Sequence, residues 1–317
     1  MSSYPTFPKI IPPYFPLSSL TLNTTIMHLK TGLSAITLKC NSSSRFTQLL
    51  LCLLFISFSF SLNAQTAAHK QVYVAINYIK TNPGKQSAYL DLIKNYTKKI
   101  NEFNFKKGRI LGTYVNSVVL PAGAEAEYNI AIVTVTDNLN FLLNDTVPGK
   151  SLFKSVFPEY SDNFIESIMD QYGEIRTIVK REIFTAIAEI DPAATPTTFA
   201  AIDFMKVAPG KDSAYVKLEK EVWMPIHKER IKMGVMVDWL LMSKFMPLNV
   251  KDEYRYVTGN FFNNLNFLED GKYPEAIKKA FPNTDLTKSL NETGEARTIV
   301  KEELWKLELF VDHSNTK

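Results

Sequence analysis

Pro83-Gly84-Lys85-Gln86-Ser87-Ala88-Tyr89 and Pro209-Gly210-Lys211-Asp212-Ser213-Ala214-Tyr215 are one segment written twice. Around them, residues 72–142 and 198–268 align without a gap at an offset of 126. Glu127-Tyr128 returns as Glu253-Tyr254, and Asn138-Leu139-Asn140-Phe141-Leu142 returns as Asn264-Leu265-Asn266-Phe267-Leu268. Arg176-Thr177-Ile178-Val179-Lys180 returns as Arg297-Thr298-Ile299-Val300-Lys301, now at an offset of 121, so the second copy is five residues shorter between these blocks. A chain that repeats itself at this length is built from two copies of one folding unit.

Within each copy the periodicity predicts β-α-β-β-α-β. In the first, Val72, Val74, Ile76 and Tyr78 alternate with Tyr73, Ala75, Asn77 and Ile79, the period of a strand. Asn82-Pro83-Gly84 turns the chain, and Tyr89, Leu92, Tyr96 and Ile100 recur at helical spacing until Gly108. Strands follow over 110–120 and 128–135, then a helical region opened by Asp137 and Asn138, then a last strand over 176–187. Two helical pieces separated near Pro158 fill the long stretch before that strand. The second copy repeats the plan, with strands over 199–205, 236–246, 254–261 and 297–311 and a first helix over 211–232. The expected repeats are 71–187 and 197–312, joined by a linker over 188–196.

The fold class is therefore α+β: two tandem ferredoxin-like repeats, each an antiparallel sheet with helices on one face. Val, Phe, Tyr and Leu also occupy the other face, which must be covered. Two copies supply that cover, sheet to sheet, as a pseudo-dimeric α/β barrel. The pattern resembles the dimeric α/β-barrel superfamily over nearly all of the chain after residue 65. The segment Trp223–Gly234 resembles a motif of exported proteins of this class. The resemblance implies cofactor-free monooxygenases, haem-handling enzymes or small isomerases as relatives, and carries over no catalytic motif.

Residues 1–64 read as a secretory leader. Lys30, Lys39 and Arg45 precede the apolar run Leu49-Leu50-Leu51-Cys52-Leu53-Leu54-Phe55-Ile56, and Ala64 offers a small residue at a cleavage point. The run is shorter than the roughly 20 residues of a spanning helix, which leaves an uncleaved anchor as the alternative. Met27 is the expected true start. Export to the periplasm or exterior follows, with no stable membrane span after cleavage.

Four of the 36 basic residues and none of the 32 acidic ones lie before residue 65, so the remaining chain is neutral. A neutral chain gives no support for a nucleic-acid partner. Cys40 and Cys52 leave with the leader, removing every thiol. HExxH, GxSxG, CxxC and glycine-rich phosphate loops are absent, and no cofactor or metal is predicted.

Six residues are candidates for a site. His227 is the one histidine inside the repeats. It lies in Trp223-Met224-Pro225-Ile226-His227-Lys228-Glu229-Arg230, where Pro225 should kink the helix. As a site, Trp223 would stack on a ligand, Arg230 would anchor an anion and His227 would move a proton. The structural alternative is a surface histidine far from the Tyr215-Leu218-Val222-Ile226 stripe. The first copy has Thr97, Asn101 and Asn104 at these places, so specialisation points to the second copy. Asp203 shares a strand face with Phe199, Ala201 and Met205. It is a candidate general base with a raised pKa if that face lines the inter-sheet cleft, or else a structural hydrogen-bond partner, as Asn77 could be in the first copy. Tyr254 and Tyr256, expected on one face, would line a pocket or pack across strands. Arg176 and Arg297 should each pair with a carboxylate. The functional expectation is an exported protein, monomer or homodimer, binding a small apolar or aromatic molecule in a cleft of the second repeat. The alternative is a cofactor-free monooxygenase- or isomerase-like enzyme.

Overall fold

A computed structural model describes residues 71–144, 149–190, 195–249 and 252–316. The leader and the centre of the linker lie outside the described residues. Strands β1 (Tyr73–Thr81), β2 (Gly112–Leu120), β3 (Ile130–Thr136) and β4 (Arg176–Ile190) belong to the first repeat. Strands β5 (Phe199–Val207), β6 (Asp238–Met246), β7 (Tyr256–Phe262) and β8 (Arg297–Val311) belong to the second. β4 extends through Ile190, so the first residues assigned to the linker are strand.

All eight strands form one closed antiparallel barrel in the order β1-β3-β2-β8-β5-β7-β6-β4. Each repeat contributes four neighbours in ferredoxin-like order. The repeats join edge to edge, β2 on β8 and β4 on β6, with pairs such as Tyr114 to Phe310 and Thr185 to Ser243. The two sheets thus face each other across a lumen and also share a continuous hydrogen-bond ladder, which leaves no free edge.

The period-two pattern sorts the side chains. Val74, Ile76 and Tyr78 of β1 and Ala200, Ile202 and Phe204 of β5 point into the lumen, where they meet Phe184, Met242, Val257 and Trp305. The alternate positions face the helices. Helix α1 runs through Gln86–Leu92, a π-helical turn at Ile93–Thr97, and Lys98–Lys106. It is followed by α2 (Leu139–Asn144), α3 (Lys150–Val156) and α4 (Asp162–Ile175). α3 and α4 are the two pieces expected on either side of Pro158.

In the second repeat α5 runs through Asp212–Leu218, a π-helical turn at Glu219–Trp223, and Met224–Lys232. α6 (Tyr273–Ala280) and α7 (Thr287–Ala296) complete the layer. Both π-turns sit at matching positions of the two copies, although only the second has the proline. The irregularity expected from Pro225 is therefore a feature of both repeats. Pro225, lacking an N–H, falls just after the turn, where the helical bonding pattern is already interrupted.

The repeated motifs meet inside the barrel. The Tyr128 hydroxyl donates to Glu303 Oε1 at 2.7 Å, and the Tyr254 hydroxyl donates to Glu182. Each bond joins a tyrosine of one repeat to a glutamate of the other. Lys301 reaches Glu303 at 2.7 Å, and Lys244 reaches Glu182 at 2.9 Å. Trp305 Nε1 donates to the second oxygen of Glu303 at 2.7 Å. Buried carboxylates are costly unless paired and hydrogen-bonded, and these two are both.

Candidate functional site between the second sheet and its helices

The six candidate residues divide between two sides of the second sheet. Tyr254 belongs to the lumen and serves the inter-repeat bond to Glu182. Tyr256 faces the helices, with its ring 5.0 Å from that of Tyr215 and its hydroxyl donating to Asp212 Oδ1 at 3.0 Å. The expectation that the two share a face is thus corrected. β7 begins at Tyr256, and Tyr254 lies in the irregular chain before it, free of strict alternation. Asp203 does not line the inter-sheet lumen either. Its face of β5 is the one covered by helices.

Trp223, His227 and Arg230 do come together, and under cover. His227 is 5 % exposed and Arg230 is 2 % exposed, which corrects the surface placement. The π-turn explains the difference. One extra residue per turn rotates everything after it relative to a straight helix, bringing His227 round towards the sheet. Its ring stacks on Trp239 at 5.5 Å, with Trp223 at 6.2 Å and Tyr273 at 6.3 Å. Trp223 Nε1 donates to Thr293 Oγ1 at 3.2 Å.

Arg230 Nη1 lies 3.1 Å from His227 Nδ1. A guanidinium can only donate, so Nδ1 accepts and the neutral ring carries its proton on Nε2. Burial, then the Arg230 charge, hold the imidazole well below its usual pKa. His227 is therefore neutral near pH 7. It does not fit haem iron, because one ring nitrogen accepts from Arg230 and the other bears the hydrogen. Among the described residues no group of three or more His, Cys, Asp or Glu is placed to hold a metal ion.

Arg230 Nε also donates to the Gly271 carbonyl at 2.8 Å and Nη1 to the Tyr273 hydroxyl at 3.0 Å, with the guanidinium 4.0 Å from the Tyr273 ring centre. Its Nη2 makes no hydrogen bond to the described residues. Burial lowers its pKa, while the charges of Tyr273 and Asp203 oppose that shift.

Asp203 faces this layer from β5. Its Oδ2 accepts from Asn260 Nδ2 at 3.0 Å and Thr258 Oγ1 at 3.2 Å, both on β7. Its other oxygen has no hydrogen-bond partner among the described residues. Burial, and then the neighbouring Glu302, push the carboxyl up to about 6. Asp203 and Ala201 nonetheless keep part of their surface, so the space above β5 is not sealed.

Glu219, in the π-turn, is a second buried acid. Burial raises it to about 7, against the pull of Arg297, whose Nε stands 3.9 Å away. Arg297 thus meets the expected carboxylate. Arg176 meets none among the described residues: the residue matching Glu219 is Ile93, and the Arg176 guanidinium lies 5.9 Å from the Tyr89 ring centre instead.

Glu219, Thr258, Asn260 and Tyr273 were not singled out from the sequence, yet a signal for three of them was present. Across the duplication Asn77 becomes Asp203, Ile93 becomes Glu219, Ile132 becomes Thr258 and Thr134 becomes Asn260. Each change adds polarity or charge, and all four fall in one layer of the second repeat.

No protein-family profile matches the chain. No curated protein matches it. Solved structures do resemble it in fold. A Fusobacterium nucleatum protein provisionally named a monooxygenase is 10 % identical, with 77 % of this chain and 94 % of that one covered at a TM-score of 0.48. An anthrone oxidase-like protein is 9 % identical, covering 79 % and 97 % at 0.47. A chlorite dismutase variant from Candidatus Nitrospira defluvii is 11 % identical, covering 75 % and 91 % at 0.40. The architecture is two ferredoxin-like repeats closed into one barrel within a single chain.

Proposed function

We propose that this protein binds a small apolar or aromatic molecule bearing a weakly acidic hydrogen, in the layer between the second sheet and its helices. The observation that carries the reading is Asp203: a carboxyl held at about 6, with one oxygen fixed by Thr258 and Asn260 and the other unbonded among the described residues. A base poised near neutral pH in a covered space is suited to take a proton from a ligand O–H or activated C–H. The proton passes to the unbonded oxygen of Asp203, and the ligand keeps the electron pair as an anion. Arg230 Nη2 has donors to offer that anion. Trp223 and Tyr273, the latter 39 % exposed, supply aromatic surface at the edge of the layer.

The same step opens an enzymatic reading of the isomerase or cofactor-free monooxygenase type, in which the anion reacts further. Arg230 Nη2, without a hydrogen-bond partner among the described residues, favours it, since stabilising a developing anion is what such a donor does. 4-Nitrophenol, whose absorption distinguishes phenol from phenolate, tests the proton transfer. Binding should weaken about tenfold in Asp203→Asn, with less ligand bound as phenolate, as expected for loss of a charged partner. Equal affinity and an equal phenolate fraction in both proteins would sink the proposal.

Export belongs to the same proposal, supported by the charged, apolar and small-residue order of residues 30–64. N-terminal sequencing of the native protein should find a start near Gln65. A native chain retaining Phe55 to Leu62 would contradict export by cleavage.

A further inference from the structure

The barrel lumen has two unlike ends. The tyrosines, glutamates and lysines of the inter-repeat bonds fill one. The other holds a cavity of about 280 Å³ walled by residues such as Val74, Val133, Ala200, Ile202 and Leu240. An apolar cavity of ~150 Å³ already accepts benzene, so this one has room for a two-ring body or a short branched chain. It is a different space from the Asp203 layer, on the opposite side of the second sheet.

The second copy is shaped to keep it. The lumen-facing position that is Val133 in the first repeat is Gly259 in the second. A Cβ at Gly259 would come within 2.9 Å of the Phe261 ring, which lies against the wall at that point. Any side chain there would displace the ring from the wall. Interiors are normally packed to the density of organic crystals, so an apolar void of this size invites an occupant.

The mouth tells which charge that occupant carries. Among the described residues, the ionisable side chains lining the cavity are Glu189, Asp238, Asp312, Tyr114 and His313, with no lysine or arginine. Asp312 is already engaged: Oδ2 accepts from the Tyr114 hydroxyl at 3.2 Å, and Oδ1 accepts from Ser314 N and Oγ at 2.7 Å each. Glu189 has neither a hydrogen bond nor an ion pair from its side chain among the described residues. We infer that the lumen binds a small apolar amine, with its body in the aliphatic cavity and its ammonium at the mouth against Glu189. An apolar acid of the same shape would set a fourth negative charge among three carboxylates.

Calorimetry on the purified protein with 1-naphthylmethylamine, 1-naphthylmethanol and 1-naphthoate tests this. The amine should bind about tenfold more tightly than the carboxylate. Glu189→Gln should cut the preference for amine over alcohol by roughly threefold, the scale of a partly exposed ion pair. It should leave the alcohol's affinity unchanged. Ala200→Phe fills the cavity and should remove binding of both. If that variant fails to fold, the Glu189→Gln comparison decides alone. Amine binding should survive Asp203→Asn, which tests the other site. No binding by any probe, carboxylate bound as well as amine, an unchanged amine-to-alcohol ratio in Glu189→Gln, or amine binding lost in Asp203→Asn would each overturn the inference.

Discussion

Asp203 makes the folded state depend on pH in a direction opposite to that of most carboxylates. Its carboxyl is raised from 3.8 to about 6, so between these values the folded protein holds a proton that the unfolded chain has released. The stability this proton provides is complete below about pH 4 and is lost as pH rises through about 6. Asp203→Asn removes the titration and keeps a side chain that can still bond Thr258 and Asn260, as Asn77 shows is tolerated at the matching place. The variant should be stabilised by about 1–3 kcal/mol at pH 8, with little difference at pH 4. Denaturant unfolding at the two pH values measures it, and an equal gain at both would show that Asp203 is not the source. At this scale the sequence was legible where the copies differ. Trp223, His227, Arg230 and Asp203 stood out because Thr97, Asn101, Asn104 and Asn77 replace them. Their protonation states were not legible, because the cost of desolvation depends on which helix lies above.

Among the elements, the strands were readable because a period of two survives in any environment that has an inside and an outside. Their ends were less so: β3 and β7 start two residues later than the alternation suggested, where Tyr128 and Tyr254 leave the ladder to reach across the lumen. The first helices read as continuous 3.6-residue periods, and the π-turns within them were invisible. A single inserted residue changes no composition and shifts the stripe by only about 100°. That shift nonetheless decides whether His227 faces water or Trp239. The matching turn in α1 shows that this geometry does not require Pro225.

The whole molecule is held by interactions that neither repeat can make alone. Cut between repeats, β2 and β4 would each expose an unpaired edge, and Tyr128 and Glu182 would lose their partners in the other half. Residues 66–190 expressed alone should therefore self-associate or aggregate. Size-exclusion chromatography with thermal unfolding checks this, and a monomer that unfolds cooperatively would contradict it. The duplication made two facing sheets foreseeable. The edge-to-edge closure was not, because no local pattern says which strand of another repeat will complete a ladder.

The covalent link between the halves has a further consequence for how such a protein can change. In a symmetric assembly of two identical chains, every substitution is made twice, so a buried acid costs its burial on both sides. In this chain an acid such as Glu219 or Asp203 is introduced once, and the other half can keep Ile93 and Asn77 as a stable counterweight. Fusion thus turns a pair of equivalent halves into a scaffold and a freely varying partner.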